Sequence, residues 1–349
     1  MVAKDTDRSI EMVAVEQAVG SVLAHDITEI RPGQFKGPAF KKGYIIKEED
    51  LDHLRRLGKE HLYVLHLGAG EYHEDDAARI LAEALCGENV ASKGAPSEGK
   101  IALVAQVNGL LKVNVGALTQ FNMVPDVCCS SRHSNAVVQR GDIVAATRAI
   151  PLIISEKELN KAVAIAKEVG GVFSVKEIVQ LKAGVVVTGN EIFYGRIEDK
   201  FLPILRRKLS EFGCPLSGIK FCPDRRDLIR DAILELIDQG VGLVLVAGGM
   251  SVDPDDVSRG GIMDAGATEL VYGSPILPGA MFLYAKVRGI PLMGLPACVL
   301  YYKATVFDLM FPRVLAGETI TRRDLAEMAH GGMCLNCATC HYPICPFGK

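Results

Sequence analysis

Val185-Val186-Val187-Thr188-Gly189-Asn190-Glu191 and, further on, Val241-Gly242-Leu243-Val244-Leu245-Val246-Ala247-Gly248-Gly249-Met250-Ser251 share one pattern: an uncharged aliphatic run, then a glycine turn carrying polar residues. Short uncharged runs bounded by such turns read as strands buried on both faces. Between them, residues 199–212 carry Phe201, Ile204, Leu205, Leu209 and Phe212 on one helical face, with Gly213 as a stop. Residues 216–221 read as another strand, and 225–239 as a helix with Leu228, Ala232 and Leu236 beside Ile229, Ile233 and Ile237. Strands alternating with helices imply βαβ units with right-handed crossovers. The expected fold class is α/β: a three-layer domain on a parallel or mixed sheet.

Upstream the pattern changes. An N-terminal α+β unit is expected over 1–75, with a turn at Arg31-Pro32-Gly33 and a helix over 48–57 that aligns Leu51, Leu54 and Leu57. Residues 76–180 read as a small β-rich domain flanked by helices over 75–85 and 156–169. Within it, 101–107 and 111–115 are β-rich runs around Asn108-Gly109, a hairpin signal, and 143–145 is a third. The small and polar residues of 87–99 read as a loop. The α/β domain is set at 181–317 and a Cys-rich tail at 318–349.

The 349 residues suffice for two or three domains at ~100–200 residues each. Lys+Arg 39 against Asp+Glu 42 leaves a net charge of −3, and only 6% of the chain is aromatic, which together exclude a phosphate-neutralising or base-stacking nucleic-acid binder. The polar start lacks the apolar core of a signal peptide. The charge-free stretch 270–285 is broken by Gly273, Pro275, Pro278 and Gly279 and is too short to span a bilayer. No membrane association and a cytoplasmic setting are expected, where thiols stay reduced and clustered cysteines point to metal.

Two loops leave the carboxyl ends of predicted strands: 188–191, and 248–256 with Ser251, Asp255 and Asp256. In open α/β sheets ligands bind outside those strand ends, so the loops are expected to share one rim. Paired glycines let backbone approach an anion closely, and Ser251 adds a hydroxyl. Neither loop matches a Walker phosphate loop or a Gly-x-Gly-x-x-Gly fingerprint. Taken singly, the glycines are equally read as turn residues and the acids as solvated or helix N-terminal groups. Together, carboxylates beside an anion loop suggest a bridging Mg²⁺.

The motifs Val185-Val186-Val187-Thr188-Gly189-Asn190-Glu191, Gly248-Gly249-Met250-Ser251-Val252, Asp256, Leu277-Pro278-Gly279 and Gly294-Leu295-Pro296 occur in that order. Over 182–317 the chain thereby resembles the molybdopterin-binding domain of the molybdopterin molybdenumtransferases, the bacterial MoeA and eukaryotic gephyrin type; residues 15–26 resemble that family's opening segment. The resemblance implies that molybdopterin, bare or adenylylated, lies on Thr188, Gly189, Asn190, Gly248, Gly249, Ser251 and Asp255, with Pro278, Gly279, Gly294, Leu295 and Pro296 completing the site. It places Glu191, Asp224 and Asp256 at acidic positions serving Mg²⁺, molybdate or the nucleotide, with Asp227 competing for Asp224's place, and it implies a homodimer.

The chain also departs from that family. Its usual Thr-Gly-Asp-Glu reads Thr-Gly-Asn190-Glu191, and its Lys-Pro-Gly-Lys-Pro reads Leu277-Pro278-Gly279-Ala280-Met281, without either lysine. Its Leu-Pro-Gly-Asn-Pro reads Leu295-Pro296-Ala297-Cys298-Val299, its Asp-Gly-Tyr reads Lys42-Gly43-Tyr44, and its C-terminal β-domain has no counterpart in the residues after Gly317. Two readings stay open. One is molybdate insertion using Glu191 and Asp256. The other is a non-catalytic carrier, sensor or maturation adaptor that docks a molybdoenzyme or redox protein through 334–349. Deleting that segment is expected to spare pterin binding under either.

Six of the ten cysteines are scattered; the rest form Cys334-x2-Cys337-x2-Cys340-x4-Cys345-Pro346. This resembles the bacterial ferredoxin run, whose last gap is one residue shorter, and implies a 4Fe–4S cluster. A four-cysteine Zn²⁺ site, with His341 as a substitute ligand, is the alternative, and a metal-free redox tail the bland reading. Cys128-Cys129 is either a reactive pair or a buried hydrophobic one. The scattered histidines lack ligand spacing. Arg225 and Arg226 read as solvated helix residues near the rim, within reach of a phosphate.

Overall fold

The computed structural model describes residues 11–31, 35–97, 99–251, 253–254 and 256–349, so Pro32-Gly33 of the expected turn and Asp255 lie outside the described residues. The chain forms two compact units, Met1–Val175 and Lys176–Lys349.

The first unit has two cores. The smaller lies under the antiparallel strands Glu11–Ala14, His61–Leu65 and Val22–Leu23, and is closed by Leu54 from the helix Leu51–Arg56. The larger is built on a four-stranded antiparallel sheet in the order Val127–Ser131, Ile143–Ala149, Lys100–Ala105, Val90–Ser97. The expected helices are present as Glu74–Leu85 and Glu156–Glu168, and they bury Leu81, Leu85, Leu159 and Ala162 against that sheet.

Three expectations for this unit are corrected. The 87–99 loop contains the strand Val90–Ser97, paired Val90↔Ala105 and Ala91↔Val104. It is an edge strand with a register shift between Lys93 and Ser97, and Gly94 there has φ +71, so its glycine and proline mark an irregular edge rather than a loop. The Asn108-Gly109 hairpin does not form: Lys100–Ala105 pairs with Ile143–Ala149, whereas Gly109–Val113 joins Val137–Val138 in another sheet. The Asn108 side-chain Oδ1 instead accepts the Arg140 backbone N–H at 2.8 Å and closes a longer loop. Finally, Val115–Asn122 is a helix, capped by Asn114 accepting the Ala117 N–H at 3.0 Å.

The second unit carries the predicted α/β layers. In chain order its elements are β1 (Ala183–Thr188), α1 (Phe201–Glu211), β2 (Leu216–Cys222), α2 (Arg226–Asp238), β3 (Leu243–Ala247), α3 (Ser258–Asp264), β4 (Ala267–Tyr272), β5 (Leu283–Val287), β6 (Ile290–Leu295), α4 (Val306–Leu315) and α5 (Arg322–Glu327). The sheet order is β2-β1-β3-β6-β5-β4. The first four strands run parallel, and β5 and β4 are antiparallel additions. Every residue of β1 is buried, as its uncharged run requires. Val185 and Val187 face a core with Leu205 of α1 and Phe307 and Phe311 of α4, whereas Val186 faces Ile233 and Leu236 of α2 and Ile262 of α3.

The C-terminal residues pack into this same unit. Phe347 is 3% exposed within the α1–α4 core, and Tyr342 Oη donates to the Asp308 carbonyl at 3.1 Å. Leu277 N–H donates to the Gly332 carbonyl, and Cys334 N–H donates back to the Leu277 carbonyl, each at 2.8 Å. Deleting 334–349 therefore uncovers core surface. Among the described residues no helix is long and apolar enough to cross a membrane.

Candidate functional site at the strand ends

The order β2-β1-β3 fixes where a ligand can enter. The chain leaves β1 toward α1 on one face of the sheet and leaves β3 toward α3 on the other, so the two outgoing loops part between β1 and β3. Such a switch point opens a crevice at the carboxyl strand ends.

Thr188 and the Gly248-Gly249 pair meet here. Thr188 is 2% exposed; its Oγ1 donates to the Ala247 carbonyl at 3.3 Å and shares a 2.9 Å hydrogen bond with Ser258 Oγ. Gly248, at φ +98, brings its Cα so close that a Cβ would stand 2.6 Å from the Thr188 carbonyl oxygen. At Gly249, φ +60, a Cβ would stand 2.4 Å from Ser258 Oγ. The glycines let the β3 loop lie against the end of β1, where Thr188 bonds Ala247 and Ser258. Leu295 at the end of β6 accepts the Gly248 N–H at 3.2 Å, and Gly294 leaves room for the Met250 sulfur, 2.7 Å from where a Cβ would be. Pro296 accepts the Val299 N–H in the turn that follows.

The acids are distributed differently from the expectation. The Asn190 N–H donates to Asp224 Oδ2 at 2.8 Å, and the Asp224 N–H returns to Asn190 Oδ1 at 3.2 Å. This reciprocal pair joins the β1 and β2 loops. Asp256 Oδ2 accepts the Ser251 N–H at 2.8 Å and closes its own loop. Glu191 is exposed and folds back over Gly189, itself buried at φ +136. Pro278 and Gly279 are anchored elsewhere: the Pro278 carbonyl accepts the Val306 N–H at 3.1 Å, and a Cβ on Gly279 would overlap Val306. Among the described residues no three His, Cys, Asp or Glu side chains gather as a site for a metal ion; Asp224 and Asp256 each accept a loop N–H, and Glu191 is exposed.

The cations near the rim are paired. Arg226 makes a two-pronged bridge to Asp264 at 2.7 and 2.9 Å, and Arg225 bridges Asp227, whose hydrogen bond holds the guanidinium above, and the carboxyl below, their ordinary ranges. Burial pushes the Cys298 thiol up. In the first unit Cys129, the inner member of the vicinal pair, packs in the larger core, where burial pushes its thiol up to about 12; burial likewise pushes Cys86 up to about 11. Sequence reasoning missed Ser258, and Tyr272, whose hydroxyl donates to the Met250 carbonyl at 2.7 Å beneath the Arg259 guanidinium, 4.8 Å from its ring. Neither carries a motif signal.

Asp224→Ala is expected to release the β1 loop while leaving the core intact: about 1–2 kcal/mol of stability is lost, because a paired, partly buried N–H loses its acceptor. Urea denaturation checks it; an unchanged midpoint shows the loops are held by other contacts.

Comparison with known proteins gives matches in both units. Residues 184–317 match the family described as "Probable molybdopterin binding domain", and residues 12–66 match a domain of unknown function. A CinA-like protein of Mycolicibacterium gilvum is 42% identical over 77 residues, which is 22% of this chain and 18% of that relative. The chain thus matches under a fifth of the length of that curated relative. Among solved structures, CinA of Thermoplasma acidophilum is 17% identical with TM-score 0.35, covering 39% of this chain and 98% of its own. The molybdopterin biosynthesis MoeA protein of Pyrococcus horikosii is 15% identical with TM-score 0.32, covering 91% of this chain and 76% of its own.

Proposed function

We propose that the second unit binds molybdopterin in the crevice between the β1 and β3 loops and acts as a carrier or adaptor, without inserting molybdate. The observation that carries this reading is the Thr188–Gly248–Gly249 junction at a topological switch point, inside the span similar to molybdopterin-binding domains. An insertion enzyme must hold charge in place against molybdate and its leaving group. Here Asp224 and Asp256 are each bonded to a loop N–H, Arg225 and Arg226 are in ion pairs, and positions 280 and 281 carry Ala and Met. Among the described residues the three carboxylates do not gather as a metal site. The N–H groups of Gly189, Asn190, Gly248 and Ser251 are bonded within the protein, so this reading rests binding on the shape of the crevice. The reading includes a homodimer and a molybdoenzyme or redox partner that meets residues 334–349.

The test is molybdate-dependent AMP release from adenylylated molybdopterin by anaerobically purified full chain, beside a direct binding titration. Binding without AMP release is expected. Glu191→Gln should leave affinity within about fivefold, since an exposed carboxylate contributes only ~0–1 kcal/mol. Molybdate-dependent release that Glu191→Gln abolishes would replace this reading with catalysis.

A further inference from the structure

The turn at 301–304 and the segment 334–347 wall a cavity of about 170 Å³. Its lining includes Cys334, Cys337, Cys340 and Cys345, all four cysteines of the terminal motif and none of the other six. Packing holds the segment around this space: Phe347 is buried in the core below, Tyr342 Oη is bonded to Asp308, and Cys334 is paired through its backbone with Leu277. The four thiols are free, and none is engaged in a disulfide.

The arrangement discriminates between a single ion and a cluster. Zinc binds four sulfurs about 2.3 Å from one point, so the thiols would have to converge. In this structure no three of them gather in that way; they line a cavity instead. A cuboidal cluster needs the opposite geometry, one thiolate at each of four iron corners with the inorganic core filling the space between. We infer that this cavity takes a 4Fe–4S cluster ligated by Cys334, Cys337, Cys340 and Cys345. The longer last gap, residues 341–344, is the stretch where Tyr342 turns inward onto Asp308, which accounts for its extra residue relative to the ferredoxin run. Loading is ligand exchange from a pre-assembled cluster on an iron–sulfur donor protein. Four Sγ–Fe bonds form, the donor's four bonds break, and the four thiol protons pass to the donor's thiolates or solvent, so no net electron moves.

This inference does not depend on pterin binding, and its test reads metal alone. The full chain is expressed in iron-replete cells, isolated anaerobically and analysed for iron, acid-labile sulfide and zinc. About four iron and about four sulfide per chain are expected, with a broad visible absorption that bleaches on reduction and a paramagnetic signal in the reduced form. Cys337→Ser and Cys340→Ser change exposed residues and should each lower iron at least fourfold with the urea midpoint held, whereas Cys128→Ser should keep it. Stoichiometric zinc without iron, a metal-free chain, or full iron retention in both serine variants each overturns the inference.

Discussion

Gly248→Ala is expected to destabilise the second unit by about 2–4 kcal/mol and to lower molybdopterin affinity by more than tenfold. Two effects add. At φ +98 an L side chain is strained, and the new Cβ would stand 2.6 Å from the Thr188 carbonyl oxygen and 2.9 Å from Thr188 Oγ1. The first neighbour is backbone at the end of a fully buried strand, so relief requires the β1 and β3 ends to separate. Separation also breaks the Gly248–Leu295 bond and pulls on the Thr188–Ser258 pair, which together define the crevice. Gly240→Ala supplies the internal control: φ is +83 but nothing lies within 4 Å, so only the conformational penalty, about 1–2 kcal/mol, should appear, with affinity unchanged. Urea denaturation and a binding titration on both variants decide the matter. Equal losses in both would mean that backbone conformation alone is at work, and that the junction does not shape the ligand site.

The parts of the fold that were legible are those where burial is written locally. The runs at 183–188 and 243–247 carry no charge because both sheet faces are covered, and the flanking helices show one apolar stripe each. Illegible parts depend on partners far along the chain. Asn108-Gly109 has the sequence of a two-residue hairpin and does not form one, whereas Arg288-Gly289 does: Val287 pairs with Ile290, and both turn residues take positive φ, +50 and +79. Glu269, Lys286 and Pro291 interrupt the apolar pattern of β4, β5 and β6, so periodicity does not mark these segments as strands. At the site, Thr188 and Asp224 bond Ser258 and Asn190, partners separated by 70 and 34 positions that periodicity does not record.

Arg313→Met should cost about 3–5 kcal/mol at neutral pH, and about 1–2 kcal/mol of that should disappear in acid. The Arg313 side chain is 7% exposed; its Nε donates to Glu318 Oε2 at 2.7 Å, and its other prong bonds Asp324. Glu318 is 9% exposed and has Lys176 3.6 Å from its other oxygen, so removing the Arg313 cation takes one of two cations from a buried carboxylate and the guanidinium from a half-buried one. Asp324 also caps α5 through the Thr321 N–H and hydroxyl. Burial raises its carboxyl, but the bonds from Thr321 and Arg313 outweigh that and leave it at about 2, below the ordinary 3.8. A folded-state value below the unfolded one stabilises the fold fully above about pH 4 and ceases to do so as pH falls toward 2. After discounting for partial exposure this amounts to about 1–2 kcal/mol. In the Met variant Asp324 lacks the Arg313 bond that lowers its carboxyl, so the difference between the proteins should narrow as pH falls from about 4 toward 2. Urea midpoints from pH 7 to about pH 2 measure it directly. A gap that stays constant with pH would assign the loss to packing of the Arg313 stem rather than to its charge. Arg313→Lys should fall between the two, because an ammonium keeps the charge but cannot bridge Glu318 and Asp324 with one planar fork.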